Sequence, residues 1–132
     1  MANGAVGRTA VAIATAKVAL PFGEAFFRGV LCNILVCLAV WIAMAGRTVT
    51  DKIFAIIFPI AAFVAAGFEH SVANMYFISL GIFLHADITL ADVLRNLIPV
   101  TLGNLVGGAG MVGLVYHTIY RRNPPLAPGS AP

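Results

Sequence analysis

Glu69 and His70 stand side by side in the run from Ile53 to Phe83, which is otherwise long and apolar enough to lie in a membrane. A carboxylate and an imidazole at bilayer depth are rare unless they face protein or a water-filled path. Imidazole is the side chain best suited to exchange a proton near neutral pH. It can donate a hydrogen bond to a small anion. It can also hand that anion a proton, so that a neutral acid crosses an apolar constriction where a bare anion carries a heavy solvation penalty. The pattern points to a transport path with His70 as its chemical centre.

Other side chains join His70 by spacing. Phe63 lies seven residues before it, two helical turns away, and shares its face if the helix holds. Asn33 and Val36, three apart on an earlier apolar run, share a face as well. These two faces are expected to look at each other across the path. Phe63 and Val36 form apolar narrowings, and His70 and Asn33 form a polar waist between them. Ser71 and Asn74 follow His70 within about a turn, and with Glu69 they are read as its supporting shell. Glu69 points away from His70 around a helix and is expected to secure backbone donors or a neighbouring helix. His85 and His117 fall at expected membrane edges.

The elements that carry these residues follow from composition. The chain is 61% hydrophobic and only 10% charged, with a mean hydropathy of +0.97. Soluble domains carry roughly a quarter charged residues, so this chain belongs in lipid. At 132 residues it can hold three or four spans of about 20 residues each. The net charge of +3 is scattered and forms no basic stripe with interleaved aromatics, which excludes nucleic acid as a partner. Cys32 and Cys37 are five apart, on different helical faces, which disfavours a disulfide or a metal pair. No metal and no cofactor is expected.

Residues 1–20 read as a connecting segment with a short Ala-rich helix rather than a signal peptide. Residues 21–120 read as a transmembrane half-domain with spans over about 22–45, 51–84 and 96–120. Arg28 near the start of the first span is expected to snorkel, and Trp41 suits an interface belt. Thr50 or Asp51 is expected to cap the second span. That span contains Pro59 and then Gly67-Phe68-Glu69-His70-Ser71. It fits two half-helices meeting at a polar break near 67–71, or one kinked helix whose Glu69 and His70 join neighbouring helices. Residues 85–95 read as a polar loop. The third span carries glycines three to four apart, which let helices approach closely. The tail over 121–132, rich in proline and small residues, is expected to be disordered. Arg47, Lys52, Arg121 and Arg122 place the first turn and the C-terminus in the cytoplasm by the positive-inside rule.

The string Gly67-Phe68-Glu69-His70-Ser71-Val72-Ala73-Asn74-Met75 resembles the central-histidine motif of the formate/nitrite transporter family. Arg28 through Trp41 resembles the family's fourth helix. Asn96 through Asn104, followed by Gly107-Gly108, resembles its sixth. Asn3 through Lys17 is similar to the periplasmic connection before the fourth helix. The resemblance implies an all-α, transmembrane fold that is half of an aquaporin-like six-helix inverted repeat, with a broken middle helix. It implies a homopentamer in a bacterial inner (plasma) membrane, passing small monovalent anions such as formate and nitrite, together with protons. Under it, His70 is the central pore histidine and Asn33 a pore-lining polar residue. Phe63 belongs to the periplasmic constriction, Val36 to the cytoplasmic one, and Lys17 is a vestibule lysine that draws anions in.

The family has two inverted halves, and this chain resembles the second, in keeping with its lack of an internal repeat. A missing N-terminal half, or a separate partner chain supplying it, is therefore expected. Two other readings compete. A truncated or purely structural membrane fragment would show no transport alone. A haem-binding anchor would need axial histidines at one depth, whereas His70 looks central and His85 and His117 peripheral. No enzymatic activity is expected.

Overall fold

The computed structural model describes residues 4–122. Six α-helices and one π-helical segment follow one another, with no strand among the described residues. α1 is Ala5–Val18, α2 Phe22–Ala45, α3 Val49–Ala65, α4 Ser71–Phe83 and α5 Leu90–Leu105; the π segment Val106–Gly113 then leads into α6, Leu114–Arg122. The tail expected from residue 121 lies, from 123 on, outside the described residues, as does Asn3.

α2 has 24 residues, about 36 Å at 1.5 Å per residue, enough to cross a hydrocarbon core of about 30 Å. The continuous helical stretch Leu90–Arg121 is likewise long and apolar enough to cross a membrane. α3 and α4, with 17 and 13 residues, are shorter pieces separated by the segment 66–70. The stretch is thus broken, and is not one kinked helix.

Two boundaries differ from those expected. α3 is capped by Thr48, whose hydroxyl accepts the Asp51 N–H at 3.1 Å. Asp51 completes the capping box by accepting the Thr48 N–H at 2.9 Å. The same device, Thr89 with Asp92, starts α5 at Leu90. The polar residues of 89–95 are therefore mostly a helix's first turns, because two of them satisfy its orphan N–H groups.

α2 is the centre of the bundle and packs on α3, α5 and the π segment, while α1 packs on α4. The α2/α5 seam is a backbone-to-backbone contact. A Cβ on Gly103 would strike the Phe26 carbonyl, and one on Gly107 the Val30 carbonyl. Gly103 of α5 and Gly107 of the π segment, four apart, thus form the small-residue stripe that lets this continuous helical stretch touch α2. At the far end Trp41 stacks on Tyr116 with ring centroids 3.6 Å apart. The fully buried side chains include Ile78 and Val100 but are otherwise mostly small or polar, among them Ala14, Ala25, Cys32, Asn74 and Asn96. Large apolar side chains such as Phe54, Phe58, Val40 and Leu105 face outward. That inversion fits a helix bundle whose outer face meets lipid or further helices.

Candidate functional site

The break begins where α3 runs out. Gly67 adopts φ +67°, the left-handed region in which glycine alone is unstrained. Phe68 N–H closes back on the Phe63 carbonyl at 3.0 Å, and His70 is already extended at φ −116°, ψ 119°. His70 is the N-cap of α4, its ring nitrogen Nδ1 accepting the Ala73 N–H at 3.4 Å. With Nδ1 used as an acceptor, a neutral ring carries its proton on Nε2.

Irregular backbone inside an apolar bundle needs donors and acceptors from its surroundings. Asn104 of α5 supplies three at once. Its Oδ1 accepts the Ser71 N–H at 2.9 Å, and its Nδ2 donates to the Gly29 and Glu69 carbonyls at 2.9 and 3.0 Å. The Arg28 carbonyl accepts the Glu69 N–H at 3.3 Å, and the Arg28 guanidinium donates to the Gly67 carbonyl at 3.0 Å. The break is therefore tied to α2 and α5 at Gly67, Glu69 and Ser71.

Glu69 turns its carboxylate away from His70 into a buried polar chain. Lys17 Nζ of α1 lies 2.9 Å from Oε1, and Asn74 Nδ2 lies 2.5 Å from Oε2. The Asn74 amide also reaches Asn96 Oδ1 at 2.9 Å, and Asn96 donates to the Lys17 carbonyl at 2.7 Å. The chain thus closes from α1 through the break, α4 and α5 back to α1. A buried carboxylate is tolerated because it is both paired and hydrogen-bonded.

These groups surround a cavity of about 480 Å³, lined by Lys17, Arg28, Phe63, Glu69, His70 and Phe77 among others. Phe63 and His70 lie on the same wall with ring centroids 6.1 Å apart, although the helix between them is broken. Lys17 Nζ sits 5.8 Å from the centre of the Phe77 ring. The wall is mainly apolar, and its polar groups are the Lys17–Glu69 pair, the Arg28 guanidinium and the His70 imidazole.

Asn33 and Val36 of α2 do not line this cavity. Asn33 donates to the Asn104 carbonyl at 2.6 Å, beside Gly108, where a Cβ would collide with the Asn33 amide. That contact lies at the entrance to the π segment, and a side chain bonding into the helical ladder is a recognised accompaniment of such a distortion. Ser71 enters through its backbone N–H, and Asn74 acts on Glu69 and Asn96. Sequence reasoning missed Arg28 and the two α5 asparagines, Asn96 and Asn104, as parts of the site. An asparagine in an apolar, glycine-rich span is a signal for interhelical hydrogen bonding, and it was available at both positions.

A family profile described as "Formate/nitrite transporter" matches residues 1–118. The chain is 47% identical over 132 residues to "Formate channel FocA" of Haemophilus influenzae, covering 86% of this chain and 46% of that relative. It is 54% identical over 110 residues to a "Probable formate transporter" of Methanothermobacter thermautotrophicus, covering 82% of this chain and 40% of the relative. Among solved structures, a "Pentameric formate channel with formate bound" superposes with a TM-score of 0.82 at 38% identity, over 92% of this chain and 56% of that one. An "FNT family ion channel" gives 0.80 at 43% identity, over 84% and 45%. The chain spans about half the length of the curated relatives it matches.

Proposed function

Because the chain belongs to the formate/nitrite transporter family, we propose that it forms part of a membrane channel for small monovalent anions, formate or nitrite foremost, with His70 as the group that receives them. The observation that carries this reading is the position of the imidazole: on the cavity wall against Phe63, at the start of a half-helix. The names of the relatives, which include a formate channel solved with formate bound, support the substrate class.

In this reading the cavity is the vestibule on one side of the path. Lys17 is the vestibule lysine of this reading, its ammonium on the cavity wall paired with Glu69. An anion in the cavity meets the Nε2–H of His70, because Nδ1 is engaged by Ala73. A hydrogen bond from Nε2 orients the anion. For the anion to cross as a neutral acid the ring must first become an imidazolium, with Nδ1 protonated and released from Ala73. It then gives the Nε2 proton to the anion and is left a neutral imidazole, and the acid passes the aromatic edge of Phe63 without the solvation penalty of a bare charge. The imidazole is reprotonated from the side on which the anion entered, so a proton and an anion cross together. Phe63 is the narrowing nearest His70, and Val36 lies on the opposite side of Asn33 along α2. Glu69, Ser71 and Asn74 hold the break rather than touch substrate.

The rest of the assembly is proposed on the same footing. Residues 21–120 form a half-domain completed by three further helices, and the complete unit assembles as a pentamer in a bacterial inner membrane. The positive-inside rule, applied to Arg47, Lys52, Arg121 and Arg122, supports a cytoplasmic C-terminal end. Formate carries a non-exchangeable proton, which gives a direct test. With the chain in micelles and formate added, a nuclear Overhauser effect is expected between that proton and the His70 ring. Its absence at saturating formate, with contacts seen only at residues away from the cavity, would refute the assignment.

A further inference from the structure

Arg28 is the one basic residue of α2, and its guanidinium is committed on two sides. One nitrogen donates to the Gly67 carbonyl at 3.0 Å, and another pairs with Glu24 one turn earlier on the same helix. The backbone carbonyl of Arg28 meanwhile accepts the Glu69 N–H at 3.3 Å. A single residue therefore grips the break on both sides of Phe68. Gly67 is the residue at φ +67°, and a Cβ there would come within 3.4 Å of the guanidinium. The guanidinium thus packs against the point where the chain reverses its helical course.

We propose that Arg28 is a positioning residue for His70: its guanidinium, held in place by Glu24, clamps the Gly67 carbonyl and so fixes the geometry from which the His70 ring reaches the cavity. The proposal takes from the functional reading only that His70 is the working group. Three observations favour a clamp over a snorkelling side chain. The Gly67 carbonyl has left the helical ladder and lines a cavity wall, so it needs a donor. The donor is charged, and charge-assisted hydrogen bonds are roughly twice as strong as neutral ones. The Glu24–Arg28 pair is partly exposed, 43% and 38% by side chain. An exposed pair is worth little by itself, so its effect comes through what it orients. Arginine suits the task because its planar fork serves a carbonyl and a carboxylate at once, which a lysine's single ammonium does less well.

The test uses the whole chain in lipid micelles and reads amide hydrogen exchange, which reports local opening. R28M is expected to speed exchange at the Glu69 and Ser71 amides by about tenfold, the factor that corresponds to losing one net charged hydrogen bond. R28K restores part of the protection, E24Q lies between wild type and R28M, and Val100 in α5 is unaffected. Unchanged exchange at Glu69 and Ser71 in R28M overturns the proposal. If R28M loses its helical circular dichroism, E24Q decides: faster exchange at those two amides supports the clamp, and wild-type exchange overturns it. None of these readings uses transport, so a break held through Arg28 in a chain whose His70 ring shows no contact with formate would sink the functional reading and leave the clamp standing.

Discussion

Removing Lys17 is expected to damage the protein more than neutralising Glu69, although the two form one ion pair. The reason is their unequal burial: the side chain of Lys17 is 17% exposed and that of Glu69 only 4%. In Lys17→Met the carboxylate remains buried with Asn74 Nδ2 as its remaining side-chain donor, 2.5 Å away. Leaving a buried charge without its counter-ion costs about 3–5 kcal/mol. In Glu69→Gln the amide oxygen can still accept from Asn74, and the ammonium can swing toward the cavity and water. That change is expected to cost about 1–3 kcal/mol, the range for one compromised buried hydrogen bond. The double variant should cost less than the sum of the two, because the orphaned charge is gone. Urea unfolding in micelles, followed by far-ultraviolet circular dichroism, measures all four corners of the cycle. If Lys17→Met costs under about 1 kcal/mol, the pair behaves as a surface ion pair and the buried-chain account is wrong. Equal costs for the two single variants would also refute the argument from burial.

Other changes have clear expectations. Asn104→Leu leaves the Ser71 N–H and the Glu69 carbonyl without their side-chain partner and removes a second bond to the Gly29 carbonyl, which stays in the α2 ladder. Each unmade group costs about 1–3 kcal/mol, so urea titration should show a larger loss than for any other single asparagine. Gly103→Val drives a side chain into the Phe26 carbonyl and should cost about 3 kcal/mol or more, seen as a lowered melting temperature; an unchanged value would mean that α2 and α5 do not touch there. Thr89→Ala removes the hydroxyl that caps α5 and should cost about 1 kcal/mol, with faster amide exchange confined to its first turn.

The helical, lipid-suited character of the chain was readable from hydropathy, and the break from glycine beside two ionisable residues. Both are local signals: apolar length and a polar interruption are visible without knowing what packs where. The starts of α3 and α5 were legible in principle, since Thr48 with Asp51 and Thr89 with Asp92 are capping boxes. The polar look of 85–95 concealed the second one. The network around the break was not legible, because it depends on residues far apart in sequence. Asn104 reaches Ser71 across 33 positions and Lys17 reaches Glu69 across 52. Periodicity places a residue on a face but not a face against its neighbour. This is why Asn33 was expected beside His70, whereas it bonds the Asn104 carbonyl near the π segment. Arg28 was read as a snorkelling residue for the same reason. Nothing in its own helix announces that a carbonyl 39 residues away needs a donor.

In the proposed pathway the His70 ring hydrogen-bonds an anion in the cavity or, once protonated, hands it a proton. The most direct test is formate flux across pH in vesicles holding this chain together with the three-helix half that a relative supplies, compared with the same vesicles carrying His70→Phe. The account predicts that the variant loses about a hundredfold in flux, the scale of a positioned acid–base group, and that its residual flux no longer follows pH through the imidazole range. Formate flux in His70→Phe that matches wild type in both size and pH profile would contradict it.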